Sequence, residues 1–328
     1  MDIDLDELDR RIIGVLQIDG RASFKWVAEV LGLPERTVSR RGQQLLSSGI
    51  IQITGLSENE AIVKRGTVVL SIECAPGTNR IVASALAAIP ESIFVYLTSG
   101  TGVCIAEFFY NRQRPTDLIL NQIPGIPGVV KVKSFECLKY YRTAAQWNPG
   151  LLSEEESRKV LAARPTTSIE SYELNREDKI ILETLAQNGR ATFDQLARSC
   201  GLSEATARRR TTNLIDSGAV SIHAVVEPAH IGFGIECWIW IQTSPDNVSI
   251  ATKSLLKDHR IRYLTGISGE FQLLAQVALG SKGELNSFLF EQQAWSKQIL
   301  RIESGITMEA FKRSGLVVNP IRNVSIGT

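Results

Sequence analysis

Over the first fifty residues the apolar positions keep a helical period. Leu8, Ile12, Val15 and Leu16 recur at helical spacing, and Gly20 follows as the predicted C-cap. Ser23 opens a second short helix carrying Val27, Ala28 and Val30. Gly32 and Leu33 form a turn, and Pro34 begins a third helix that runs to about Ser48 and stops at Gly49. Three helices with a glycine-containing turn between the last two make the helix-turn-helix pattern. Ile50–Ile53 is a β-prone run suited to a wing-like strand. The period then changes. Segments 67–74, 92–98, 102–110 and 129–138 read as strands, while 76–89 and 115–123 read as helices. That order, βαββαβ, predicts a four-stranded antiparallel sheet with two helices on one face.

The pattern occurs twice. Residues 9–53 align without a gap on residues 178–222, at a shift of about 169 and roughly 40% identity. Ile181, Leu185 and Gly189 repeat the first helix. Thr192 to Cys200, Gly201-Leu202 and Ser203 to Ser217 repeat the rest, and Ala219–Ile222 repeats the wing run. The second βαββαβ set spans 235–243, 245–257, 262–267, 271–278, 281–293 and 299–308. Trp238 and Trp240 lie two apart on one strand, so they share a face that is expected to pack on another copy of the same domain. Between the copies, Ser153 and Glu156 form a capping-box pattern that opens a charged helix, with flexible sequence after it. The fold class is α+β: two winged helix-turn-helix domains alternating with two ferredoxin-like βαββαβ sensor domains. The boundaries are 1–55 and 174–225 for the former and 66–141 and 234–309 for the latter. Residues 142–173 are a linker with a short helix, and 310–328 a tail.

Bulk composition narrows the function. A chain of 328 residues can hold two to four small domains with real cores. A formal net charge of +1 excludes a uniformly basic nucleic-acid binder, so any such site is a local patch. The 5 cysteines make no CxxC pair and are odd in number, which fits a reducing cytoplasm rather than a disulfide framework. The acidic start has no apolar core of a secretory signal, and no apolar run reaches the ~20 residues that span a bilayer. His223, His230 and His259 lack metal-ligand spacing, and no cofactor is expected. The chain has no phosphate loop, no Gly-x-Ser-x-Gly elbow and no repeated acid/base pair.

The third helix of each copy carries the candidate chemistry. Val38 and Leu45, and Ala207 and Leu214, sit seven apart and face inward. That leaves Glu35, Arg36, Thr37, Ser39, Arg40, Gln43 and Gln44 outward in the first copy, and Glu204, Thr206, Arg208, Arg209, Thr212 and Asn213 in the second. Arginine bonds guanine or phosphate and glutamine or asparagine pairs with adenine, so double-stranded DNA is the expected partner. Arg41 and Arg210 occupy matching positions with a partly structural reading. Arg21 and Arg190 follow the first helix and can grip either phosphate or that helix's last carbonyls. Ser23 and Thr192 are N-caps that can also meet phosphate. The two reading helices differ in sequence, so the preferred site is expected to be asymmetric within one chain.

The order of these motifs, repeated and followed by βαββαβ, resembles the Lrp/AsnC transcription regulators, and 226–232 resembles that family's connecting segment. Ordinary members carry one unit and dimerise through the βαββαβ domain; this chain resembles two subunits in series. The resemblance implies a small-molecule effector near subunit contacts, placed at Ser99, Gly100, Thr101 and Gly102 and at Ser268, Gly269, Glu270 and Phe271, and a homo-oligomer built through the sensor domains. Gly42 and Thr211 stand where the family favours an apolar residue. A glycine inside a helix costs ~1 kcal/mol relative to alanine, which predicts a looser first reading helix. The rival is an enzyme. Siroheme decarboxylases resemble the same fold and would use His and Arg near the sheet to handle tetrapyrrole carboxylates. His259-Arg260-Ile261-Arg262-Tyr263 is the local cluster of that kind, and residues 90–94 in the first copy offer nothing equivalent.

Overall fold

The structure, a computed structural model, describes residues 5–56, 66–100, 104–110, 115–163, 174–291 and 295–318. In chain order, α1 (Glu7–Ile18), α2 (Phe24–Leu31), α3 (Glu35–Ser47) and β1 (Ile51–Leu56) precede β2 (Gly66–Cys74), α4 (Asn79–Ala88), β3 (Ser92–Thr98), β4 (Cys104–Tyr110) and β5 (Val129–Arg142). A short helical stretch, Pro115–Asp117 and Leu118–Gln122, precedes β5. Then come α5 (Glu154–Ala162), α6 (Arg176–Gln187), α7 (Phe193–Cys200), α8 (Glu204–Asp216), β6 (Ser221–Val226) and β7 (Ile235–Thr243). The chain closes with α9 (Val248–Leu255), β8 (Ile261–Ile267), β9 (Leu273–Leu279), α10 (Lys282–Phe290), β10 (Ile299–Arg313) and β11 (Leu316–Val317). No helix among the described residues is long and apolar enough to cross a membrane. The chain divides into two compact units, one of residues 1–63 and 148–232, the other of 64–147 and 233–328.

The first unit holds both helix-turn-helix copies. Ile12, Ile13, Val15, Leu16, Val38 and Leu45 are buried in one, and Ile181, Leu185, Leu196, Ala207 and Leu214 in the other. Gly32 and Gly201 cap α2 and α7 in the left-handed conformation (φ 65° and 69°), which a side-chain-bearing residue adopts only at a cost. Gly20 is not the cap expected of it. Asp19 caps α1 in an extended conformation. Gly20 is instead needed for close approach, since a Cβ there would lie 2.8 Å from the Cα of His223. The predicted wings also resolve differently: β1 and β6 pair antiparallel with each other, Ile51 opposite Val226 through Leu56 opposite Ser221. The 142–173 segment is more than a linker. Arg142 still belongs to β5. The Ser153–Glu156 capping box starts α5, which docks on α1 and α2 through Val160, Leu152 and an Arg11–Glu156 ion pair.

The second unit departs further from expectation. Its strands do not form two separate four-stranded sheets. They make one nine-stranded sheet in the order β11-β10-β3-β4-β2-β5-β8-β9-β7, and β10 also pairs with β7, closing the sheet on itself. Closure depends on two long strands of 14 and 15 residues, both extending past their predicted ends at 138 and 308. The first half of β5 pairs with β2 and its last residues, from Cys137 to Arg142, with β8. Likewise β10 leaves β7 at Ile306 and runs along β3 from Thr307. The stretch from Ala310, expected as tail, therefore stays in the sheet to Arg313. Each long strand ties one half to the other and leaves no open edge between them.

Trp238 and Trp240 do pack against the other copy, within the same chain. Inside the closed sheet they meet Val69, Phe94, Tyr96, Ile105 and Phe135 of the first half. Trp238 lies 4.8 Å from Phe94, and Trp240 4.7 Å from Phe135, between ring centroids. A cavity of about 10 Å³ lies beside Trp238 and Ser71. On the outside, α4 covers one half through Val82 and Leu86, and α9 and α10 cover the other through Leu255 and Phe288.

Two buried carboxyls sit among these apolar groups. Glu107 accepts from Tyr140 (2.5 Å) and Tyr263 (2.7 Å), and burial raises its pKa despite those bonds. For Glu236, burial works upward too, but the Arg313 guanidinium (2.7 and 2.5 Å) and then Arg262 hold it below the usual carboxylate range.

Candidate nucleic-acid interface

Each reading helix is stapled to its own first helix by the same ion pair. Arg41 donates to Asp9 (2.8 Å) and pairs with Asp6 (2.7 Å); Arg210 donates to Asp178 (3.1 Å). These two arginines, expected partly to meet DNA, are thus engaged inside the fold. Asp9 shows how far inside: burial and the neighbouring Asp6 push its pKa up, against the pull of Arg41.

Arg21 and Arg190 take the structural of their two readings, with a difference. They hold carbonyls of the opposite copy, not of their own helix. Arg21 donates to Gly189 O (2.9 Å) and Ala191 O (3.1 Å), and Arg190 to Gly20 O (2.9 Å) and Ala22 O (2.8 Å). Each guanidinium also lies over the opposite phenylalanine, 5.2 Å from the Phe193 centroid and 5.0 Å from that of Phe24. Backbone bonds follow the same pseudo-twofold: Gly20 N–H donates to Ile222 O and Gly189 N–H to Ile53 O, both at 2.8 Å. Ser23 and Thr192 are N-caps, accepting from Trp26 and Gln195 at 3.2 Å.

What remains outward is compact. Arg36, Arg40, Gln43 and Gln44 on α3 and Arg208, Arg209, Thr212 and Asn213 on α8 are exposed; Thr37, Ser39 and Thr206 are half-buried. Thr206 also meets Ser203, 2.9 Å away across the first turn of α8. Arg208 bonds Glu204 (3.3 Å) and lies 4.4 Å from the Phe193 centroid. Among the described residues, Arg36, Arg40 and Arg209 pair with no carboxylate. Unpaired guanidinium groups of this kind can bond phosphate or base edges.

Gly42 does not loosen α3. A Cβ there would overlap the Phe24 ring, so the glycine is the notch into which α2 packs. Thr211 fills the matching position itself, fully buried and donating back to Ala207 O (2.8 Å). The two phenylalanines and the paired aspartates were absent from the expected site. The signal for them was present: Asp9/Asp178 and Phe24/Phe193 are identical between copies.

The hairpin turns expected to hold an effector are largely spent on closing the sheet. Ser99 N–H donates to Ile306 O (2.8 Å) and its Oγ accepts from Ile306 N–H (3.0 Å). Ser268 does the same with Glu136, at 2.9 Å in both directions. Gly100 and Gly269 adopt positive φ, Glu270 pairs with Lys133 (3.4 Å) and Phe271 is buried. Thr101 and Gly102 lie outside the described residues. In the cluster proposed for the rival enzyme His259 is exposed, while the arginines and the tyrosine are engaged internally. Arg260 chelates Asp258, Arg262 donates to Gln276 (2.7 Å), and Tyr263 to Glu107.

Known proteins resemble this arrangement in both sequence and fold. Residues 5–46 match the AsnC-type helix-turn-helix domain, and residues 174–221 a winged helix-turn-helix DNA-binding model. The HTH-type transcriptional regulator FL11 of Pyrococcus horikoshii is 30% identical over 147 residues, 44% of this chain and 97% of the relative. An uncharacterised HTH-type transcriptional regulator of Pyrococcus furiosus is 37% identical over 140 residues, 42% of this chain and 95% of that one. Among solved structures, the siroheme decarboxylase NirDL superposes with a TM-score of 0.62 at 12% identity, covering 94% of this chain and 93% of its own. At that identity the likeness is one of fold. Matched along nearly their whole length by less than half of this chain, the regulators carry the assignment: the chain belongs to the Lrp/AsnC family of transcriptional regulators.

Proposed function

We propose that this protein is a sequence-specific, DNA-binding transcription regulator whose α3 and α8 together read the duplex. The observation that carries the reading is the pair of exposed, unpaired arginines at matching positions, Arg40 and Arg209, each on a helix anchored from behind. The contact that family members make between subunits is made here between repeats, so one chain supplies two reading helices. Each half of the closed sheet keeps the βαββαβ order, which supports two ferredoxin-like sensor modules. A small-molecule effector acts through them by altering the inter-repeat bonds of Ser99 and Ser268. The siroheme decarboxylase reading has the NirDL fold likeness in its favour, but the arginines it would need face the protein's own Asp258, Gln276 and Glu236.

The test is a gel shift on genomic fragments near the protein's own gene over a salt series. Tight, selective, salt-sensitive binding is expected. Arg40→Ala or Arg209→Ala should each cost about 1–3 kcal/mol on the selected fragment if the residue reads a base. No selective binding, together with a visible spectrum altered by added siroheme, would favour the enzyme.

A further inference from the structure

The two reading helices are held by one brace but carry different residues. Four bonds from Arg21 and Arg190, two backbone bonds at Gly20 and Gly189, and the β1–β6 ladder join the helix-turn-helix copies. Thr54 adds a bond to Ala186 O (2.6 Å). Such a junction leaves little freedom to re-space or rotate one copy against the other. Within it, the outward positions match at only one arginine, Arg40 with Arg209. The first copy adds Arg36, four residues earlier on the same face of α3 and about 6 Å along the axis. The second copy has Ala205 there and carries its extra cation at Arg208, where the first has Ser39. Residue 208 is next to 209 in sequence, so it points about 100° away around the helix. The Phe193 ring at 4.4 Å and the Glu204 carboxylate at 3.3 Å hold its guanidinium beside the start of α7. Gln43 and Gln44 are replaced by Thr212 and Asn213.

We infer that a single chain reads a non-palindromic DNA site made of two unlike half-sites at one fixed spacing. The inference rests on the DNA-reading proposal above. Arg36 and Arg40 give the half-site under α3 two guanine-type determinants about two base-pair steps apart. The half-site under α8 holds one such determinant, from Arg209, with Arg208 turned by Phe193 toward the backbone beside it. Phe193 is a positioning residue in this scheme, acting through Arg208.

The experiment is selection from a random duplex pool with two full-length proteins. One is the natural chain. The other carries Ala205→Arg, Arg208→Ser, Thr212→Gln and Asn213→Gln, which give α8 the outward residues of α3. All four positions are exposed, and none belongs to the brace. The natural chain should enrich two unlike half-sites at one spacing, and the variant an inverted repeat of the α3 half-site at that same spacing. Each protein should then prefer its own site by about 5- to 150-fold per exchanged base pair. Two like half-sites at the single-chain spacing from the natural chain, a spread of spacings, or an unchanged second half-site from the variant would overturn the inference. Enrichment of nothing by either protein would instead overturn the DNA-reading proposal beneath it.

Discussion

Replacing Arg21 with alanine separates a brace from a phosphate contact, because the two roles predict opposite readouts. The side chain donates to two carbonyls of the other repeat and covers the face of Phe193. A hydrogen bond from a charged donor contributes about 1.5–3 kcal/mol, and a partly exposed cation–π contact about 0.5–1. The site is half-buried, so water can reach part of what the alanine uncovers, and the net loss should be about 2–4 kcal/mol. The loss is local to the junction of the two helix-turn-helix copies. Amide hydrogen exchange along Ile51–Leu56 and Ser221–Val226 should accelerate roughly 30- to 1,000-fold if opening proceeds through that junction. Arg21→Lys keeps the charge but not the planar fork that spans two carbonyls, and should recover little of the protection. Were Arg21 a phosphate ligand instead, alanine would leave exchange unchanged and flatten the log–log salt dependence of DNA binding by about one. That pair of results would refute the brace.

Inside the closed sheet, the two carboxyls should respond to pH in opposite senses. Burial raises the Glu107 pKa, so its contribution is full below the unfolded value near 4.5 and is lost as pH rises toward the folded value. Glu107→Gln should abolish that decline in urea midpoints followed by tryptophan fluorescence from pH 4 to 8; parallel curves for the two proteins would contradict it. Glu236 is held low by Arg313, after offsetting its burial, so its contribution is present above about 4.5 and disappears as pH falls through the folded value. Arg313→Met leaves that buried carboxylate to Arg262 at 3.5 Å and Gln276 at 3.2 Å and should cost about 3–5 kcal/mol in the same assay; a loss under 1 would show the pair to be dispensable. Gly42→Ala, which in an open helix would add up to ~1 kcal/mol, should lower thermal stability here because the methyl meets the Phe24 ring.

The local elements were legible wherever one repeat specifies its own neighbours. Helical period, the Gly32 and Gly201 turns and the Ser153 capping box are properties of a few adjacent residues, and they appear near the positions read for them. The basic outward face of α3 and α8 was legible for the same reason. What one repeat's pattern could not reveal was every feature created by the other repeat. Lys312 and Arg313 read as a polar tail, yet both are buried, because Ile89 O, Ser92 and Glu236 receive their charges across the closed sheet. Arg21 reads as a ligand of phosphate or of its own helix's last carbonyls until Gly189 and Ala191 are brought to it. Gly42 reads as a weakness until Phe24 arrives.

The same dependence explains how a duplicated sequence favours pairing with its own other half. At the repeat shift, Glu107 corresponds to Gln276 and Thr67 to Glu236, so the buried carboxyl sits on β4 in one half and on β7 in the other. Their partners differ to match. Glu107 takes its hydroxyls from Tyr140 of its own half and Tyr263 of the second. The residue matching Tyr263 in the first half is Phe94, which has no hydroxyl to give. Two first halves brought together would therefore leave Glu107 short of a donor in a site that excludes water. The Tyr96 hydroxyl, 3.3 Å from Arg313 and 3.5 Å from Arg262, is matched in the second half by Thr265, too short to reach the same place. Two second halves would lose that acceptor. An unmet buried polar group costs about 1–3 kcal/mol, and more when charged, so these interior exchanges weigh against like-with-like association. The repeats have diverged most usefully where they touch, and an interior that accepts only unlike halves lets α3 and α8 differ without a second chain supplying the wrong partner.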